Sequence, residues 1–194
     1  GFSHLHLSYF NLIPGISEGE RDATSGKFIK PVAINDSTIE EVIAGDSDFK
    51  SYSSNVPFQK VNHYKIVLNN SMIISQGTLK SVFGYQLNER KEFAEITSPD
   101  DYGLYFKLST FNYELKYHFP EYKKINFTTG LNGMLQNSLN KGTEYLVPAY
   151  TLFDGGIFAI AARNFNKIDV SAGIRYDSRK LNGEDLYLDA NGLS

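Results

Sequence analysis

Polar and apolar residues alternate with a period of two through most of the stretch from Leu104 to Lys180. In the clearest run Phe111, Tyr113, Leu115, Tyr117 and Phe119 fall on one side, and Asn112, Glu114, Lys116 and His118 on the other. Such a pattern predicts a β-strand with one dry and one wet face. Its length also matches the roughly 9–11 residues with which a tilted strand crosses a bilayer. Seven strands are expected: Phe2–Asn11, Val61–Asn70, Gly77–Asn88, Leu104–Phe119, Lys124–Gln136, Leu152–Arg163 and Lys167–Arg179. The sixth is apolar on both faces and the least periodic.

The connections follow a rhythm. About fifty residues (the long loop 12–60) separate the first two strands, and about fifteen lie between the third and fourth and between the fifth and sixth. Only Ser71–Gln76, Pro120–Lys123 and Asn164–Asn166 join the other pairs. Joined up and down, these strands form an all-β antiparallel meander with the long loops at one end and the tight turns at the other. Outer-membrane barrels have that asymmetry. Inside the longest loop, Ser37-Thr-Ile-Glu40 has capping-box spacing, Ile39, Val42 and Ile43 form a short stripe, and Gly45 can end it, so a two-turn helix is expected over Ser37–Ala44.

Between their aromatic ends, the apolar sides of the second, fourth, fifth and seventh strands carry no charge; Lys65, Glu114, Lys116, His118, Asp169, Arg175 and Asp177 sit opposite. A lipid-facing Lys or Arg near the midplane costs about 2–4 kcal/mol, so this partition suits a membrane wall. It equally suits a soluble sheet with one wet face, and excludes only a sheet buried on both sides.

Composition narrows the classes further. A net charge of −3 with no basic stripe argues against nucleic acid. Without cysteine there are no disulfides or thiolate metal sites. No apolar run reaches the roughly 18 residues of a membrane helix, but barrel strands are apolar on one face only and keep mean hydropathy low. Thirteen Tyr and fourteen Phe supply amphipathic strands or interfacial girdles, although Trp, common in such girdles, is absent. The chain opens inside an alternating run and stops in a polar stretch, which reads as an internal fragment.

Chemical motifs are sparse. His4 and His6 share one face but have no third ligand nearby, and Asp100-Asp101 after Ser98-Pro99 reads as a turn rather than a calcium loop. Glu18, Glu20, Glu40 and Glu41 are solvated loop charges with no apolar pocket to separate their pKa values. Nucleophile-elbow, phosphate-loop and zinc motifs are missing, so an enzyme is not expected and no cofactor is implied.

Three blocks carry a family resemblance: Thr129-Gly-Leu-Asn-Gly-Met134; Asn140-Lys-Gly-Thr-Glu144 with Leu146-Val-Pro-Ala-Tyr150 and Leu152-Phe-Asp154; and Val170-Ser-Ala-Gly-Ile-Arg-Tyr-Asp177. Together with the opening Leu5–Gly15 they resemble the barrel of TonB-dependent outer-membrane receptors of Bacteroidetes-type bacteria. The resemblance implies an arc of a large plugged barrel of roughly twenty-two strands in the outer membrane of a Gram-negative cell. It also implies energy-coupled uptake of a scarce small ligand (iron-siderophore, cobalamin or glycan), with TonB and a plug as partners through parts of the chain not present here. Seven strands cannot close a barrel of that class, so this segment alone is expected to be inactive and to self-associate through its strand edges. Under this resemblance Gln86, Arg90, Gln136 and Arg175, facing the lumen near the extracellular ends, are the candidate ligand contacts.

The alternative is a soluble surface or secreted β-sandwich that binds glycan or protein. Its signature would be Tyr113, Leu115, Ile125, Phe127, Val170 and Ile174 buried against a second sheet. A hydrolase on a β scaffold would need a clustered His/carboxylate site, which cannot be assembled from this sequence.

Overall fold

The computed structural model describes residues 1–16, 19–144 and 146–185. In chain order its elements are β1 (Phe2–Leu12), β2 (Ile29–Asn35), β3 (Thr38–Ile43), α1 (Asp46–Phe49), β4 (Phe58–Ile74), β5 (Gly77–Phe93), β6 (Leu104–His118), β7 (Ile125–Asn140), β8 (Tyr150–Asn164) and β9 (Asp169–Gly183). One seven-stranded antiparallel sheet runs β1-β4-β5-β6-β7-β8-β9, and β2 and β3 form a separate hairpin. The expected all-β meander of seven strands is therefore the architecture of the chain.

Three details differ from expectation. The Ser37–Ala44 helix is a strand: Thr38–Ile43 pairs with β2, and the only helix among the described residues is the single turn Asp46–Phe49. Thr38, Ile39, Val42 and Ile43 are β-branched and stiff at χ1, which favours a pleated strand. Asn35 also closes a tight turn by accepting the Ser37 amide at 3.0 Å. Second, several strands overrun their predicted ends, so the β5–β6 and β7–β8 connections shrink to residues 94–103 and 141–149. The residues added to β5 and β7, Glu89–Phe93 and Asn137–Asn140, are mostly polar, and hydrophobic alternation does not register a backbone ladder that continues into polar residues. Third, the β4–β5 turn tightens to Ser75 and Gln76, while the β6–β7 and β8–β9 connections run over residues 119–124 and 165–168. Ser75 and Gln76, and likewise Lys123 and Lys124, have positive φ, the conformation that matches the twist of two-residue hairpins.

Paired residues on neighbouring antiparallel strands share a face, so the register sorts every side chain. The row Leu5, Leu68, Phe83, Tyr113, Gly133 and Gly155 lies on one face, and the row His4, Asn69, Val82, Glu114, Asn132, Gly156 and Asp177 on the other. No second layer covers the apolar face, since β2 and β3 make contacts between elements only with each other. Leu104 and Ala149 are the only buried apolar residues among those described, while Val170 is 51 % and Ile174 76 % exposed. The total accessible surface of 13678 Å² far exceeds the roughly 9,300 Å² of a compact protein of this mass. A sandwich core is not what this sheet builds.

The apolar face is a band with edges, and the band is oblique. On the side of the long connections it ends at Tyr64 on β4, Leu87 on β5, Phe111 on β6, Leu135 on β7, Phe153 on β8 and Tyr176 on β9. Followed across the ladder, the row of Tyr64 reaches β9 at Asn182, six residues beyond Tyr176 (182 − 176). With about 3.4 Å per residue and about 4.8 Å between strands, the edge climbs about 20 Å along the strands while crossing about 24 Å of sheet. Two of the six residues accrue between β4 and β8 and four in the step to β9, and the slope averaged from end to end is roughly 40°, within the range of strand tilts in membrane barrels. Polar groups inside the band bond internally: Asn70 Nδ2 donates to Ser81 Oγ at 3.1 Å, and Thr129 Oγ1 to the Phe158 carbonyl at 2.9 Å. Aromatic pairs mark both margins, Tyr9–Tyr64 at 4.9 Å on one side, and Tyr117–Phe119 at 4.6 Å and Phe119–Phe127 at 5.0 Å on the other.

Candidate functional site

The polar face is a network of paired charges. Arg175 grips Asp177 with both arms of its guanidinium, Nε to Oδ2 at 2.7 Å and Nη2 to Oδ1 at 2.5 Å, and reaches Asn132 Oδ1 at 3.0 Å. Two residues beyond Asp177 on β9, Arg179 pairs with Asp154 on β8. Lys116 pairs with Glu114 at 2.8 Å. Paired donors of this kind fix geometry as well as charge. Together Asn112, Asn132, Asp154, Arg175 and Arg179 line a shallow cleft of about 440 Å³.

All four residues singled out from the sequence lie on this face, but they do not form one site. Gln86 and Gln136 flank Thr110 in a single row. Gln136 Nε2 donates to Thr110 Oγ1 at 3.0 Å and its Oε1 accepts from the Tyr150 hydroxyl at 2.8 Å. Thr110, at 1 % exposure, is the most buried side chain among the described residues. Arg90 sits four rows nearer the long connections, with half its side chain exposed and Glu92 at 3.9 Å. Arg175 is mid-strand, in the row of Phe158, Gly130 and Lys116. Since Gly130 lies six residues from Gln136 on β7, that row is about 20 Å away along the strands. Arg175 lies beside Tyr176, as Gln86 lies beside Leu87 and Gln136 beside Leu135, so all three are level with the oblique margin of the band, and the Arg175 charge is already engaged by Asp177.

Sequence reading missed Thr110, Tyr150, Asp154 and Arg179, because their partners are set by register between strands distant in sequence. The two-sided apolarity of β8 also gains a reason. Phe158 points to the polar face, and its ring occupies the space above Gly130, where a Cβ would lie 2.6 Å from Phe158 Cζ. On the opposite face Tyr113 lies over Gly133 in the same way.

The long connection between β1 and β4 carries its own small structure. Phe28 and Phe49 meet edge to face at 5.8 Å, with the Arg21 guanidinium 3.8 Å above the Phe28 ring. Asp48 accepts from Lys30 Nζ at 2.5 Å and from the Gly45 amide at 2.8 Å. These bonds, Lys30 foremost, hold its carboxyl below the usual carboxylate range. Asp22 is likewise lowered, chiefly by the Ser25 amide.

Chemically the polar face offers hydrogen-bond donors and acceptors to water or a polar solute. Among the described residues no three His, Cys, Asp or Glu side chains are grouped to hold a metal ion. His63 and His118 are occupied by Asn88 at 3.2 Å and Thr128 at 2.9 Å. No family model, curated protein or solved structure matches the chain.

Proposed function

We propose that this chain is a section of the wall of a large outer-membrane β-barrel of the TonB-dependent receptor class, from a Gram-negative cell. Its role is in energy-coupled uptake of a scarce small ligand. The observation that carries the reading is the oblique apolar band on a single uncovered sheet. A soluble protein has no reason to expose such a band, and a barrel wall needs it inclined to the ladder by the strand tilt. The salt-bridged opposite face then lines the lumen. In this seven-stranded antiparallel sheet β1 and β9 run in the same direction, so an all-antiparallel ring would need an odd number of further strands. The receptor assignment itself rests on the sequence resemblance, as do TonB and the plug as partners and the lumen residues Gln86, Arg90, Gln136 and Arg175 as ligand contacts.

A cysteine-free chain makes the test direct. Single cysteines at Ser109, Phe111, Tyr113, Leu115 and Tyr117, and at Thr110, Asn112, Glu114 and Lys116, carry nitroxide labels in phosphatidylcholine vesicles. The odd positions are expected to be accessible to oxygen and shielded from a water-soluble nickel chelate, and the even ones the reverse. Equal chelate access at both sets would remove the membrane reading.

A further inference from the structure

Past the band margin on the side of the long connections, the apolar face is not merely polar; it is repeatedly lysine. Counting four residues outward from the margin leads from Tyr64 to Lys60, from Leu87 to Lys91, from Phe111 to Lys107 and from Tyr176 to Lys180, while on β7 and β8 the same count reaches Leu139 and Ala149. All four lysines share the face of the band by the pairings Lys60↔Lys91, Lys91↔Tyr105, Glu89↔Lys107 and Phe153↔Lys180. Because the margin itself climbs across the sheet, these lysines sit in different ladder rows yet at one height above it. Lys180 shares a row with Phe153 and Leu135, where it would lie inside a band drawn parallel to the rows; along the oblique margin it belongs with the other three.

The collar is electrostatically incomplete. Lys60 and Lys91 are directly opposite each other in the ladder, an arrangement that repels. Lys107 is paired with Glu89 at 3.1 Å. Lys60, Lys91 and Lys180 have no carboxylate within ion-pair distance among the described residues. Lys91 instead stands 4.7 Å from the centres of both the Tyr102 and Tyr105 rings, a tyrosine-flanked ammonium typical of a membrane interface. Four residues are about 13 Å of strand, or about 10 Å of height at the tilt found above. That height falls in the headgroup layer outside a hydrocarbon core of about 30 Å.

We infer that Lys60, Lys91 and Lys180, with Lys107 between them, form a collar that binds the phosphate groups of anionic lipid headgroups in the leaflet on the long-connection side. The inference rests on the membrane reading of the apolar band. Charge complementarity favours lipid phosphate as the occupant, since the sites are strung along the margin at headgroup height rather than gathered into a pocket. The chain as a whole carries −3, so attraction to an anionic surface has to come from a local patch.

The test measures association of the chain with phosphatidylcholine vesicles and with the same vesicles containing phosphatidic acid. Three proteins are compared: the unaltered chain, Lys60→Ser/Lys91→Ser/Lys180→Ser, and the charge-matched Lys65→Ser/Lys80→Ser/Lys116→Ser on the polar face. The unaltered chain is expected to prefer the anionic vesicles, with the preference falling as salt rises. The collar variant should lose on the order of a hundredfold of affinity for them, and the polar-face variant should keep it. Equal losses in both variants, no preference for phosphatidic acid, or abolition of the preference by millimolar inorganic phosphate would each overturn the collar. Failure to associate even with pure phosphatidylcholine would instead strike the membrane reading beneath it.

Discussion

Replacing Leu131 with lysine tests the two faces most directly. Leu131 lies near the middle of the apolar band, directly opposite Leu115 on β6 and Ile157 on β8, and is 38 % exposed. Facing lipid at mid-depth, a lysine there should cost about 2–4 kcal/mol, with up to about 1 kcal/mol more from the lost cross-strand pairs. The folded-to-unfolded ratio in lipid would fall by a factor of roughly 30 to 900 for the first term alone, at 1.36 kcal/mol per tenfold. Leu131→Ala isolates the packing loss. Asn112→Lys, on the polar face where Asn112 has no hydrogen bond to another described side chain, should stay within about 0.5 kcal/mol. The assay is urea unfolding from phosphatidylcholine vesicles, followed by far-ultraviolet circular dichroism. Depth provides the control against burial by protein: along β7 the cost should decline from Leu131→Lys through Leu135→Lys to Asn137→Lys, approaching about 0–1 kcal/mol at the interface. A thicker bilayer should raise the cost at Leu135. A flat series, or a polar-face lysine that costs as much as the apolar-face one, would refute a lipid-facing band.

Three further outcomes are expected. Thr110→Val removes the hydroxyl that accepts from Gln136 and should destabilise by about 1–3 kcal/mol; a double-mutant cycle with Gln136→Leu should return a positive coupling, and additivity would count against the contact. Gly133→Ala should destabilise by about 1–3 kcal/mol, because the new Cβ meets the Tyr113 hydroxyl and the Asp154 carbonyl oxygen; Tyr113→Phe in the same chain should recover only part, and full recovery in urea midpoint would show the backbone contact to be harmless. Asp48 is depressed in the folded chain, so its bonds to Lys30 and Gly45 stabilise the long connection above the ordinary carboxylate range, and that contribution is lost as pH falls through the depressed value. Hydrogen exchange over Ile29–Phe49 should accelerate in that acid window, and Asp48→Asn should flatten the response; an unchanged pH profile in the variant would reject the linkage.

Much of the architecture was legible locally. Period-two alternation identified all seven strands of the main sheet, and the long–short rhythm of their connections gave their up-and-down order. The Ser37–Ala44 error shows where local signals compete: capping-box spacing and an Ile-Val-Ile stripe fit a helix turn, yet β-branched residues beside an Asn-Asp-Ser turn fold as a hairpin. The strand ends were illegible for a different reason. Lys60, Glu89 and Lys91 read as loop because they are charged, although each continues the backbone ladder.

What the sequence alone determined is which side chains share a face on each strand, since that depends only on the pleat. Register, by contrast, belongs to pairs of strands. It brought Asp154 to Arg179 and Gln136 to Thr110, set Lys60 against Lys91, and separated Arg175 from the other candidate ligand contacts. Only with the ladder assembled does the apolar band become an oblique line with a measurable slope. Each strand carries its own dry segment, but the offset between neighbouring segments exists only once hydrogen bonds have fixed one strand against the next.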